Sequence, residues 1–153
     1  MPRFVFDPVP AGELPPDRPI HHDQRNSYGA IVIHILDGIP YVLVCQGYKG
    51  TSFPKGRQEP GETPAQTACR EVWEETDISI EVDTEFEAVV PSARPGDKRT
   101  VTFFLGRAPA GCISTNPSEV HYAAWIPVSE AIASIRYPPD RQSLEEAVKY
   151  FLQ

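Results

Sequence analysis

Three glutamates, Glu71, Glu74 and Glu75, fall within one and a half turns of a predicted helix, beside Arg70. Residues three and four apart in a helix stack one above another, so these carboxylates share an arc. On a solvated helix face each like-charge pair at that spacing costs only about a few tenths of a kcal/mol. In a cleft the repulsion is far larger, and a hard divalent cation is the natural relief. A divalent cation held there could supply the positive charge an anionic substrate needs. A solvated acidic face is the alternative reading of such a cluster, and its surroundings must decide.

The helix that would carry them runs from Thr63 to Thr76. Thr63 can cap it, Pro64 suits its first position, and Gln66 stands where a capping box needs it. At about 100° per residue, Ala65, Ala68, Cys69, Val72 and Thr76 form one apolar stripe, the expected core face. Arg70 lies four residues before Glu74 and is spaced to hold that carboxylate. Lys55 and Arg57 flank Gly56, and Lys98 and Arg99 open a later strand.

Around this helix the chain reads as a single mixed α/β domain. Ala30 to Leu36 and Tyr41 to Cys45 are apolar, β-branched runs about Asp37-Gly38, which predicts a hairpin. Gln46 to Gly61 reads as a loop. Ser79 to Val90, Thr100 to Leu105 and Val120 to Ile126 follow as strands, with a turn at Arg94-Pro95-Gly96-Asp97. A short helix is expected from about Ser129. Ser143 with Glu146 reads as the capping box of a last helix whose apolar members are Leu144, Ala147, Val148 and Phe151. Six of the seventeen prolines lie in the first 26 residues, so residues 1–26 read as a Pro-rich arm and 27–153 as the domain. His21-His22 lies in that arm with no further ligand nearby, and is read as incidental.

Composition sets limits. The chain has 153 residues, 41% hydrophobic and 23% charged, with 14 basic residues against 21 acidic for a net charge of −7. That field repels nucleic acid and anionic membranes unless positive charge is strongly clustered. No apolar run approaches the roughly 20 residues of a spanning helix, and Met1 to Pro8 lacks a secretory h-region. Cys45, Cys69 and Cys112 show no metal-ligand spacing, so a reduced, cytoplasmic protein is expected. Nothing in the sequence specifies an oligomeric state.

From Gly56 to Ile78 the chain reads GRQEPGETPAQTACREVWEETDI. This resembles the Nudix box: Gly, five residues, Glu, seven residues, Arg-Glu, an aliphatic, any residue, Glu-Glu, any residue, Gly, an aliphatic. Gly56, Glu62, Arg70, Glu71, Val72, Glu74, Glu75 and Ile78 fall in register. Asp77 stands where the family has glycine, and Asp is among the few residues that tolerate the left-handed conformation needed there. The resemblance implies an α/β/α sandwich with a mixed sheet between helices. It implies a magnesium- or manganese-dependent hydrolase of a small-molecule diphosphate linkage. By position, Glu71, Glu74 and Glu75 become metal ligands with the Gly56 carbonyl, Arg70 orients them, and Glu62 supports the helix or a second metal. The general base is Glu71 or a later-loop residue, for which Glu119, six before Trp125, is the match and a further metal ligand. Nearby His121 reads as structural.

Ser52-Phe53-Pro54-Lys55-Gly56, Glu59 and Gly61-Glu62 resemble the branch that hydrolyses dinucleoside polyphosphates such as diadenosine tetraphosphate, with Lys55, Arg57, Lys98 and Arg99 on phosphates. Thr51 replaces a tryptophan common in that branch, and Pro91-Ser92 stands where a base-stacking aromatic is usual. Tyr48, Phe53 and Tyr137 are the remaining aromatics near these segments, and core packing is expected of each. The alternatives are a diphosphoinositol polyphosphate hydrolase, an RNA 5′-pyrophosphohydrolase, and a silent nucleotide-sensing module. Retention of every box carboxylate disfavours the last.

Overall fold

A computed structural model describes residues 26–47, 50–109 and 122–153. The Pro-rich arm up to residue 25, with His21-His22, lies outside them, as do Tyr48, Cys112, Glu119 and His121.

Strand β1 (Ser27–Leu36) and strand β2 (Ile39–Gly47) form the predicted hairpin, in register from Ile33 opposite Val42 to Leu36 opposite Ile39. Asp37 and Gly38 turn it with φ of 52° and 78°. Two consecutive positive φ values fit the type I′ turn, whose twist matches that of the strands, and Asp-Gly tolerates them.

The stretch from Gln46 to Gly61 is not simply a loop. It contains β3 (Gly50–Ser52), antiparallel to β2, and β4 (Lys55–Arg57), antiparallel to the start of β1. Strands this short leave no readable alternation; their ladder partners, not local propensity, make them. Gly29 permits the approach of β4, because a Cβ there would overlap the Pro54 carbonyl oxygen.

Helix α1 (Pro64–Thr76) follows, then β5 (Glu81–Pro91), β6 (Thr100–Arg107), β7 (Ala123–Pro127), α2 (Val128–Ser134) and α3 (Pro138–Phe151). The sheet order is β3-β2-β1-β6-β5, with β4 on β1 and β7 on β2. Among the described residues only the β1–β6 pairing is parallel, so the sheet is mixed.

Both faces of the central strand are covered, which is why its sequence is continuously apolar rather than alternating. Ala30 and Val32 pack with Ala68, Val72, Phe104 and Trp125 beneath α1. Ile31 and Ile33 pack on the other face with Phe103, Leu144, Ala147 and Ile135 beneath α2 and α3. Each fully buried Val or Ile contributes about 1.5–3 kcal/mol. The result is the α/β/α sandwich expected from the sequence. No helix among the described residues is long and apolar enough to cross a membrane.

The last helix departs from expectation. It starts at Pro138, not after Ser143, with Tyr137 as its N-cap residue. Ser143 is inside the helix, where its hydroxyl donates to the Pro139 carbonyl at 2.8 Å, so the Ser143–Glu146 box does not form. Prolines at the first two helical positions cost little, since those N–H groups have no helical partner.

Helix α1 has its expected start. The Gln66 N–H donates to Thr63 Oγ1 at 3.1 Å and the Thr63 N–H donates to Gln66 Oε1 at 2.9 Å. Replacing Thr63 with Ala removes one half of this exchange. We expect a loss of about 1 kcal/mol in urea unfolding, with an unchanged slope. A variant as stable as the parent would contradict the role of the cap.

Candidate functional site

The expected core stripe of α1 is buried: Ala65, Ala68, Cys69, Val72 and Thr76 all face the sheet. Thr67 joins them, its hydroxyl donating to Glu62 Oε1 at 2.9 Å. The helix ends at Asp77 with φ 62° and ψ 19°, its N–H returning to the Trp73 carbonyl at 2.8 Å. Asp therefore adopts the left-handed conformation for which the family pattern has glycine, and the end of α1 is kept.

With its core face fixed, α1 turns Arg70 toward the preceding loop. Its Nε donates to Glu62 Oε2 at 2.6 Å, and one terminal nitrogen donates to Glu71 Oε2 at 2.9 Å and Glu74 Oε1 at 3.1 Å. The other donates to Glu62 Oε1 at 3.2 Å and to the Arg57 carbonyl at 3.0 Å. Burial opposes the charge of Arg70, but its bonds to Glu62 and the fields of Glu71 and Glu59 push its pKa above the ordinary arginine value. Burial likewise opposes ionisation of Glu62, yet Arg70, the Glu59 N–H and Thr67 hold it below the usual carboxylate value. The oxygens of Glu62 are committed to these donors, so its place here is to support the loop and helix. The spacing from Arg70 to Glu74 is realised, but the shorter partner is Glu62.

Glu71 and Glu75 lie side by side. Burial, then the hydrogen-bonding Glu71 carboxylate, push Glu75 up to about 7. The Cys45 thiol also contacts Glu75 Oε1, at 3.6 Å. Two facing carboxylates need a proton or a cation between them. Gly56, on β4, leaves the room: a Cβ there would overlap the Glu71 carboxylate. Glu74 is half-exposed beside them. Among the described residues no three carboxylate, imidazole or thiol groups form a ready ion cage, and Arg70 engages one oxygen each of Glu71 and Glu74. All-oxygen donors in a set this small fit magnesium-like ions, which commonly use one or two carboxylates and complete their shell with water and substrate phosphate.

A cleft of about 510 Å³ opens on the other side of β4, between the turn after β5 and the start of α3. Lys55, Arg57, Arg94, Arg99, Arg136, Tyr137 and Asp140 are among its lining residues. Lys55 joins the two regions, since its charge acts on both Glu75 and Asp140. Lys98 is exposed and does not line the cleft. Arg99 lines it while bonded to Asp97 at 2.8 Å, which holds Asp97 well below the usual carboxylate range. Phe53 is core, edge-on to Phe103. Tyr137 is half-buried at the cleft wall, its hydroxyl donating to the Pro91 carbonyl at 2.7 Å. Sequence alone does not single out Arg94, Arg136 or Asp140. Arg94 reads only as part of a turn, and the other two precede the point at which the last helix is expected.

The sequence matches the NUDIX domain family over residues 25–150. The chain belongs to the Nudix family. Among curated relatives, it is 38% identical over 135 residues to the putative mutator protein MutT4 of Mycobacterium tuberculosis, covering 80% of this chain and 54% of that protein. It is 34% identical over 102 residues to an 8-oxo-(d)GTP phosphatase of Mycolicibacterium smegmatis, covering 67% and 31%. It is 29% identical over 153 residues to the human 8-oxo-dGDP phosphatase NUDT18, covering 94% and 45%. The chain thus spans about a third to a half of these relatives. Among solved structures, the Ap4A hydrolase of C. elegans superposes with a TM-score of 0.70 at 23% identity, covering 84% of this chain and 98% of that one. That likeness supports the fold. Nudix hydrolases in general use divalent metal ions.

Both the Arg70 anchor and the Asp140 carboxylate can be tested through stability. Replacing Arg70 with Ala strands the buried Glu62 carboxylate and should destabilise the fold by about 3 kcal/mol or more in chemical denaturation; a change below about 1 kcal/mol would contradict its anchoring role. Asp140, pushed from 3.8 up to about 6 chiefly by burial and eased by Lys55, favours the fold when protonated. Its contribution is present below about pH 3.8 and lost as pH rises through about 6. An Asp140→Asn variant should therefore gain stability relative to the parent across that window, seen as a rising difference in melting temperature. A pH-independent difference would contradict it.

Proposed function

We propose that the chain is a magnesium-dependent, cytoplasmic pyrophosphohydrolase that cleaves a phosphoanhydride of a nucleoside polyphosphate. The single observation that carries this is the adjacency of the Glu71–Glu75 carboxylate pair and the cation-lined cleft, joined through Lys55. Glu71, Glu74 and Glu75 would hold the metal with the Gly56 carbonyl, and Arg70 would position the first two. A metal held there would supply positive charge against the phosphates and favour ionisation of a water. Lys55 and Arg57 orient the phosphates, aided by Arg94 and Arg136. A water oxygen bonds to phosphorus, the bond from that phosphorus to the bridging oxygen breaks, and the remaining phosphate leaves with the bridging oxygen. The water's proton passes to Glu71 or Glu119.

The relatives named for 8-oxoguanine nucleotides, and a cleft with an acidic group among its cations, favour a guanine nucleoside di- or triphosphate. The Ser52–Gly56 segment favours the second reading, a dinucleoside polyphosphate, whose longer phosphate chain Arg99 and Arg136 could follow. Lys98, outside the cleft, is not needed in either.

Phosphate release with Mg²⁺ in oxygen-18 water tests this. The panel holds 8-oxo-dGTP, GTP, ATP, diadenosine tetraphosphate, an inositol pyrophosphate and 5′-triphosphorylated RNA. We expect turnover of nucleotides, with label on one product phosphate. Replacing Glu71 or Glu75 with Gln should lower it at least about 100-fold with the fold intact. Release from no member would favour a nucleotide-sensing module, and full activity in either variant would refute the metal assignment.

A further inference from the structure

Strand β5 ends the sheet beside β6, and among the described residues it pairs with β6 alone. Its outer edge runs about 35 Å over Glu81–Pro91 and presents backbone groups that an extended segment can join. The two faces of the strand differ. Phe86, Ala88 and Val90 are buried with the residues of α3, and the Phe86 ring lies 5.4 Å from that of Tyr150. On the opposite face Glu85, Glu87, Val89 and Pro91 are exposed, Val89 by 59%.

Such an acidic edge repels a second copy of itself, because like charges directly opposite one another destabilise a strand pair. It admits a segment with the same alternation and a cation in it. Outside the described residues, Arg3-Phe4-Val5-Phe6 has that pattern: three residues that favour extended structure, one cation, and prolines kept to the flanks at Pro2 and Pro8. We propose that the outer edge of β5 is a docking site for residues 3–6 of this chain, which add to it as a parallel strand. Phe4 and Phe6 then continue the apolar face of Phe86 and Val90. Arg3 and Val5 fall on the face of Glu87 and Val89, cation by carboxylate and apolar by apolar.

Direction and length agree with this. Asn26 lies at the Pro91 end of β5: its side-chain carbonyl accepts from the Thr100 N–H at 3.5 Å, and Thr100 stands opposite Pro91. A parallel strand delivers Asp7 to that same end. The connecting residues 7–25 can span about 60 Å, whereas β1 and β5 are separated by two strand spacings, about 10 Å.

Hydrogen exchange of the full chain, read by mass spectrometry on peptides covering residues 81–91, tests the proposal. The wild-type protein should protect the outer amides of β5. Replacing Phe4 and Val5 together with Pro removes an N–H from whichever side of the added strand faces β5. It should speed exchange at residues 85–90 by about tenfold or more and leave β1 and α1 unchanged. Arg3→Glu should act in the same direction, and Arg3→Lys should not. If the proline variant loses protection throughout the domain, the Arg3 pair decides, since a charge on the arm leaves the core intact. Exchange at β5 that is the same in wild type and in the Arg3→Glu variant would overturn the proposal. So would protection that grows with protein concentration alongside a dimer in light scattering, because a second copy would then occupy the edge.

Discussion

The Arg70 guanidinium fastens a loop, a strand and a helix together around one charge. It takes Glu62 from the loop before α1, the Arg57 carbonyl from β4, and Glu71 and Glu74 from its own helix. A lysine could not do this, because only a planar fork presents donors in these several directions at once. Buried ion pairs are a weak source of net stability, since desolvation offsets much of the attraction. Their value here is positional. Glu62 accepts from Arg70, Thr67 and the Glu59 N–H, so the loop that follows β4 is pinned to the helix that carries the glutamates.

This anchoring divides the labour among like charges. Arg70 neutralises part of Glu71 and Glu74, while Glu75, buried beside Glu71, is left with too little compensation and a raised pKa. That residual repulsion is a free-energy source for cation capture. It also resolves an apparent contradiction in the composition. A chain of net charge −7 should repel polyphosphates. Yet its basic side chains Lys55, Arg57, Arg94, Arg99 and Arg136 converge on one cleft, next to a carboxylate pair suited to a metal. Local arrangement, not net charge, sets the field a substrate meets.

Much of this is legible in the sequence because it is local. The cap at Thr63, the stripe from Ala65 to Thr76, the Asp37-Gly38 turn and the spacing of the glutamates all express short-range geometry. Even Asp77 in place of glycine can be read, since few residues accept its conformation. The features that escape are non-local. The strands β3 and β4 exist only through partners, and the start of α3 is hidden by Pro138-Pro139, which reads as a breaker although proline is tolerated there. That single misplacement hides Arg136 and Asp140. Arg94 and Arg99 gain meaning only when β5 and β6 bring their turn to face α3. The Glu62–Arg70 bond likewise spans the loop-to-helix boundary, and spacing alone points first to Glu74.

Isothermal calorimetry of Mg²⁺ binding tests most directly whether the Arg70-anchored carboxylates form a metal-dependent phosphate site. Titrations with and without a non-hydrolysable nucleoside triphosphate analogue should show weak binding to the protein alone and much tighter binding once phosphate oxygens complete the coordination. No heat of metal binding in either titration, with Mn²⁺ equally silent, would contradict the account.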